Sequence, residues 1–377
     1  MTAPFDATKL ERLMEDAGVA LIVANSRHNV RYLSGGYYYH FHENSTRMGT
    51  SQYQPFVGIV GGRLDRTFYI HRSDESGQMG LANLWFPSLV PAVRGTLTSA
   101  EVLAGKIKEL ALAGMRIGLE LPFIPADSYL LLCKELPNAV FVDATPIFNE
   151  LRTIKTEHEL AIMRSAYTRL ADSIHATFLA GRPGVTTKYL EQHLQVEMAT
   201  NGLAFLFALV SAGPGFLRAP STITWESAQI LHIDAGGAEA DYVADICRMA
   251  CLGEPSKLAR DLHAACLEVQ NTVRSGIRPG ASCGDVVRFG EEAVSHYEFS
   301  QYARFVVHGI GMVPYEPPIF DKGSLRLLEP GMVLSIETDF IHPKIGHVKI
   351  EDAVAVTSTG CEGLGDGGRE WTIPEVG

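Results

Sequence analysis

Apolar residues recur along the chain at two spacings, and these place its elements. Leu10, Leu13 and Met14 stand at helical intervals within residues 6–16, and Gly18 sits where such a helix stops. Residues 19–24 form a short unbroken apolar run, the pattern of a buried strand. Residues 55–60 and 67–70 predict a hairpin about Gly61 and Gly62. Residues 99–113 predict a helix with Leu103, Ile107 and Leu110 inward, and residues 116–119 and 139–143 predict two strands around another helix. Strands alternating with helices make an α/β domain.

The pattern changes near residue 150. Residues 151–181 carry one long amphipathic helical pattern, in which Thr156 and Glu159 have the spacing of a capping box. A domain boundary is expected there, giving domains 1–150 and 151–377. Residues 187–201 predict a helix. The run ILHID predicts a strand ending at Asp234, followed by a turn at Gly236 and Gly237 and a second apolar strand from Asp241. Residues 256–276 and 284–297 read as helices, and the rest as strand and loop.

At 377 residues, 46% of them hydrophobic, the chain can bury a core in each of two domains. Its net charge of −11 argues against nucleic acid and anionic lipid, both of which need clustered Lys and Arg. No run approaches the ~20 apolar residues of a membrane span, and no secretory signal is visible. The six cysteines form no C-x-x-C pair, so they read as reduced thiols of a cytoplasmic protein.

The chemistry lies in the second half. Asp234 and Asp245 are spaced D-x10-D, and Asp245 is flanked by Ala244 and Ile246. A carboxylate so placed is expensive to bury unless a cation pairs with it. His308 follows an apolar run and precedes G-I-G, whose glycines would let the backbone turn beside the imidazole. Glu337 lies among Val333, Leu334 and Ile336, and Glu351 lies in the similar run GHVKIEDAVAVT. Taken singly, each is a buried acid or a core histidine. Together they are four acids and a histidine in apolar strands, with Arg248 and Lys349 the main basic residues nearby.

The order Asp, Asp, His, Glu, Glu resembles the dinuclear site of the pita-bread metallopeptidases, among them methionine aminopeptidase, prolidase and aminopeptidase P. The D-x10-D spacing, H-G-I-G, L-E-P-G-M-V-L-S-I-E and K-I-E-D-x-V-x-V-T carry the resemblance. It implies a creatinase-type, ribonuclease H-like α/β domain, then a pita-bread α+β catalytic domain, and a homodimer. It implies two divalent ions held by Asp234, Asp245, His308, Glu337 and Glu351, and cleavage by a hydroxide bridging them, with Glu337 as proton shuttle. Oxygen-rich ligands put Mn first, with Fe, Co or Zn as alternatives. The expected substrate is a short Xaa-Pro peptide.

Two departures qualify the substrate. Relatives that cleave peptides carry a histidine ahead of the first Asp, where this chain has Leu217 or Arg218. They carry another after H-G-I-G, where it has Tyr315. A tyrosine can donate a hydrogen bond but cannot act as a neutral-pH imidazole. Cys247 and Thr338-Asp339 also replace the usual Thr and Pro-Gly. Creatinase and a dimethylsulfoniopropionate lyase share this fold and act on non-peptide small molecules, so a small amino-acid derivative is the alternative substrate, and an inactive binding protein a second alternative. By analogy with creatinase-type dimers, His40, His42 or Arg47 could reach a partner's substrate. Arg218, Tyr315 and Arg326 are candidates to grip a substrate carboxylate.

Overall fold

The structure, a computed structural model, describes residues 3–43, 54–93 and 95–375. It divides into two compact units, Met1–Leu151 and Arg152–Gly377.

In the N-terminal unit the helices are α1 (Ala7–Ala17), α2 (Arg27–Ser34), α3 (His40–Glu43), α4 (Ser76–Ala82), α5 (Thr96–Glu109), α6 (Ala126–Glu135) and α7 (Thr145–Arg152). Its strands are β1 (Leu21–Ala24), β2 (Phe56–Val60), β3 (Phe68–Arg72), β4 (Ser88–Ala92), β5 (Arg116–Leu119) and β6 (Val140–Asp143), in one mixed sheet ordered β4-β3-β2-β1-β5-β6. Alternate residues of the central strands supply two cores. Ile22, Val57, Ile59 and Tyr69 face α1, α2 and α7, while Leu21, Val23, Phe56 and Phe68 face α5 and α6. Asp6 caps α1, and Gly18 ends it in the left-handed region, as its sequence position suggests.

The C-terminal unit has helices α8 (Glu157–Leu179), α9 (Thr187–Thr200), α10 (Lys257–Gly276) and α11 (Cys283–Ser295). Its strands are β7 (Val185–Thr186), β8 (Ala204–Ala212), β9 (Thr224–Trp225), β10 (Ile230–Glu239), β11 (Tyr242–Cys251), β12 (Ala303–Gly309), β13 (Val333–His342), β14 (Gly346–Val356) and β15 (Cys361–Gly363). Seven of them form an antiparallel sheet, ordered β12-β13-β14-β11-β10-β8 with β15 on β14. Helix α8 packs Leu160, Met163, Tyr167, Leu170 and Ile174 against Ile233, Ala235 and Ile246. Val269 and Val273 of α10 and Val286 of α11 pack against Leu334, Ile336 and Val354. The helices thus cover one face of the sheet. Among the described residues, no helix is long and apolar enough to cross a membrane.

Two expectations change. The helical pattern of residues 151–181 is two helices, not one. Thr156 and Glu159 form their capping box, and α8 begins there. The break is held from outside the helix, because the Lys155 amide donates to Gly331 O at 2.8 Å and its ammonium turns inward to Glu316. Gly236 and Gly237, for their part, are not a turn. Strand β10 runs through them, and the hairpin reverses at Ala240 and Asp241, both with positive φ. A Cβ at Gly236 would meet the Phe207 ring, and one at Gly237 the Met198 methyl. These glycines serve close packing, and the strand shifts register against β8 between them.

Candidate metal centre

The helix-free face of the C-terminal sheet collects the ionisable residues, and strand alternation explains which ones. In β10 and β11, Asp234 pairs with Cys247 and Gly236 with Asp245, so the two aspartates are diagonal neighbours on one face. In β13 and β14, Glu337 stands opposite Glu351, and Asp339 opposite Lys349. In β12, His308 stands opposite Ser335 and Arg304 opposite Asp339. All five candidate ligands therefore share a face, and each is nearly inaccessible to solvent. Asp234, Asp245, Glu337 and Glu351 floor a cleft of about 380 Å³ whose walls include Phe207, Leu209, Arg218, Arg304, Val306, Pro314 and Tyr315.

Within this group the five are not equivalent. Ligand atoms of Asp245, His308 and Glu351 lie within 4.8 Å of one another. Among the described residues, Asp245 Oδ1 and His308 Nε2 are buried with no hydrogen-bond partner, the carboxylate oxygens facing His308 Nε2 being Glu337 Oε1 at 3.5 Å and Glu351 Oε1 at 3.7 Å. His308 Nδ1 lies 3.2 Å from the Gly309 carbonyl; donation there turns the Nε2 lone pair toward the acids. Ser335 Oγ donates to Glu351 Oε1 at 2.8 Å and fixes its orientation. These residues fit one hard cation: three converging donors of the right type, two of them otherwise unsatisfied.

Asp234 and Glu337 have cations of the chain's own. Lys349 Nζ lies 2.7 Å from Asp234 Oδ2, Glu337 Oε2 and Glu351 Oε2 alike. Asp234 is also paired with the Arg218 guanidinium. A second cation does not fit beside the first while the ammonium holds these oxygens. Arg248, the other basic residue near the acids in sequence, is not in the cleft. One residue away from Cys247, it points to the helix side, pairs with Asp352 at 2.8 Å and donates to the Cys247, Glu351, Gly365 and Gly367 carbonyls.

The electrostatics follow from these partners. Burial pushes Asp245 well above the usual carboxylate range, reinforced by the charges of Glu351 and Asp234. Burial also lifts Asp234 to about 6, against the pull of Lys349. Glu351 goes the other way, to about 2, because Lys349 and His308 outweigh its burial. Burial opposes a charge on His308, yet Glu337 and Glu351 raise it to about 10. Without a metal, the protons thus sit on Asp245 and His308, and an arriving cation must displace them.

The segment after H-G-I-G forms the roof. The Tyr315 ring lies against His308, centroids 4.2 Å apart and planes tilted by 31°, and burial followed by the charges of Glu337, Glu351 and Asp245 raises its hydroxyl pKa. Glu316 is buried and accepts from Lys155 Nζ at 2.8 Å, with Arg152 at 3.4 Å. Gly309 and Gly311 have ordinary backbone angles. Their role is room: a Cβ at Gly309 would meet the Glu316 carbonyl, and one at Gly311 its carboxylate. From the helix side, Gln270 donates to the Ile336 and Ile350 carbonyls at 2.6 and 3.0 Å, bridging the strands that carry Glu337 and Glu351.

The remaining sequence candidates lie elsewhere. Arg326 pairs with Glu329 and does not line the cleft. His40 and His42 lie in α3 of the N-terminal unit, His42 buried and with its pKa lowered by burial to about 4. Arg47 lies outside the described residues. Lys349, expected only as a basic residue near the acids, lies in the site itself, where the K-I-E spacing puts it on the face of Glu351, and Arg304 and Phe207 line the cleft without a sequence signal.

Comparisons with known proteins bear on the family and the fold. Residues 161–358 match metallopeptidase family M24, and residues 7–154 match the creatinase/prolidase N-terminal domain. An uncharacterised peptidase of Staphylococcus aureus (strain MW2) is 29% identical over 235 residues, 59% of this chain and 66% of that protein. One of Bacillus subtilis (strain 168), also uncharacterised, is 24% identical over 253 residues, 65% of this chain and 71% of that one. Among solved structures, an Xaa-Pro dipeptidase from Bacillus anthracis superposes with a TM-score of 0.82 at 24% identity, covering 98% of this chain and 100% of its own. A dipeptidase from Pyrococcus horikoshii OT3 gives 0.83 at 22% identity, covering 97% and 99%. At these identities the structural likeness shows the fold.

Proposed function

The chain belongs to metallopeptidase family M24, with a creatinase-type domain ahead of a pita-bread catalytic domain, and from that premise we propose that it is a metal-dependent hydrolase of a small C–N substrate, an Xaa-Pro dipeptide first. The observation that carries this reading is the pair of unsatisfied buried atoms, Asp245 Oδ1 and His308 Nε2, beside Glu351 at the floor of a cleft. Asp245, His308 and Glu351 would hold a divalent ion, manganese first because two carboxylates and one imidazole make a hard donor set. Such an ion polarises a carbonyl and makes water nucleophilic at neutral pH.

The chain's own groups supply the rest. Glu337 turns Oε1 toward His308 at 3.5 Å and Oε2 toward Lys349, placing it to pass a proton from water to the leaving nitrogen. Tyr315 keeps its hydroxyl proton at neutral pH and can donate it in a hydrogen bond to a developing oxyanion. Arg218 and Arg304 line the cleft as partners for a substrate carboxylate, and Phe207, Leu209, Val306 and Pro314 offer an apolar wall for a prolyl ring. The volume is near the small end of ligand pockets, ~300–1,000 Å³, and suits a dipeptide. A homodimer and a cytoplasmic location belong to the same reading; six free cysteines suit a reducing compartment.

Manganese-loaded enzyme should hydrolyse members of an Xaa-Pro dipeptide panel, read by release of proline. Tyr315→Phe should lower kcat on the order of 10²-fold, the scale of one lost oxyanion donor, with little change in KM. An unchanged kcat would remove Tyr315 from the chemistry. One observation favours a second reading: Arg218, in the region where peptide-cleaving relatives carry a histidine, is paired to Asp234. If metal-loaded protein ignores every dipeptide, the substrate is a non-peptide amino-acid derivative, and Arg304 and Tyr315 are the first residues to test against it.

A further inference from the structure

The two ions that the resemblance implies do not both fit. Asp234 Oδ2, Glu337 Oε2 and Glu351 Oε2 converge on one buried point, as oxygens do around a cation, and Lys349 Nζ stands at that point, 2.7 Å from each. We infer that this centre takes a single divalent cation, between Asp245, His308 and Glu351, and that the Lys349 ammonium is the built-in second cation of the site. The inference rests on reading the cleft as a metal centre.

Three observations carry it. The first is the division of the ligands. Asp245 Oδ1 and His308 Nε2, which make no hydrogen bond, converge with a Glu351 oxygen, whereas Asp234 Oδ2, Glu337 Oε2 and Glu351 Oε2 are engaged by Lys349, leaving only Glu337 Oε1 turned back toward His308. The second is charge. Asp234, Asp245, Glu337 and Glu351 bring four negative charges. Lys349 and Arg218 neutralise two, while Arg304 and Asp339 cancel each other at 2.8 Å. Two negative charges remain, which one divalent ion balances. A second ion would leave two uncompensated positive charges in a buried site, which is strongly unfavourable. The third is the anchoring of the lysine. Lys349 lies in the middle of β14, opposite Asp339, with its side chain almost wholly buried and its stem beneath the cleft. Moving the ammonium away would strand a charge in the sheet or break three ion pairs.

The test is a metal count on the intact protein. Purified chain is stripped with chelator, saturated with Mn²⁺, freed of loose metal and analysed by inductively coupled plasma mass spectrometry. The expected result is one equivalent per chain for wild type and two for Lys349→Met, which keeps the length of the side chain and removes its charge. Lys349→Gln serves as a second variant. Two equivalents in wild type would overturn the inference and leave the metal reading intact. One equivalent in wild type and in both variants would also overturn it, because the ammonium would then not be what excludes the second ion. No bound metal in wild type would overturn the metal reading and this inference with it. If neither variant folds, the wild-type count still decides between one ion and two.

Discussion

Replacing Asp245 with alanine is expected to abolish metal binding and to lower hydrolysis by on the order of 10³-fold or more. Metal activation is worth several kcal/mol, and about 4 kcal/mol corresponds to roughly 10³-fold in rate. The size of the loss follows from geometry. Asp245 is one of three converging donors, and its Oδ1 has no hydrogen-bond partner among the described residues. His308 and Glu351 alone make a poor site, because Glu351 is already held by Lys349 and Ser335. The same substitution should not unfold the metal-free protein. It removes a buried carboxylate that forms no ion pair with a Lys or Arg among the described residues, and deleting such a group costs little stability. In thermal melts, the metal-free variant should match wild type within a few degrees, while the upward shift produced by added Mn²⁺ should vanish. A variant that melts far below wild type without metal would mean that Asp245 is structural. One that keeps the Mn²⁺ shift would mean that the cation sits elsewhere.

The second large effect concerns the roof. Glu316→Ala should destabilise the protein by about 3–5 kcal/mol, the usual result of removing one partner from a buried ion pair. The carboxylate is the shared partner of Arg152 and Lys155, and all three side chains are at most 2% exposed. Burial alone would raise the pKa of Glu316, but Lys155 and Arg152 outweigh it and hold the group below its ordinary value. For an acid lowered on folding, the linked stability is fully present above the unfolded pKa, about 4.3, and is lost as the pH falls through the folded one. In urea unfolding, the gap between wild type and Glu316→Gln should therefore be widest near pH 7 and close progressively below about pH 4. A gap that stays constant over that range would show that shape, not charge, is what the site needs from Glu316.

Much of this arrangement was legible in the chain. A charged residue inside an apolar strand is conspicuous, and period-two alternation puts Asp234, Asp245, Glu337 and Glu351 on the face opposite the helices. The capping box at Thr156 and Glu159 likewise marked the start of α8. What escaped depended on distant partners. Two adjacent glycines at 236 and 237 resemble a turn, because nothing local reveals that Phe207 and Met198 pack onto them. The true reversal at Ala240 and Asp241 has no glycine to announce its positive φ. Arg248 and Lys349 look alike as neighbours of acids, but one residue of parity sends the first to Asp352 and the second into the cleft. That Lys349 meets three carboxylates at once follows from the register of β13 on β14 and from β10 lying close by, and neither is written in the K-I-E motif.

The most direct measurement is an anomalous difference map from crystals soaked in Mn²⁺, collected where manganese scatters anomalously. One peak per chain is expected, within coordination distance of Asp245, His308 and Glu351, with the Lys349 ammonium still on Asp234 and Glu337. The absence of a peak there would contradict the metal centre. Two peaks with Lys349 displaced would contradict the single-ion site and return this chain to the dinuclear pattern its motifs resemble.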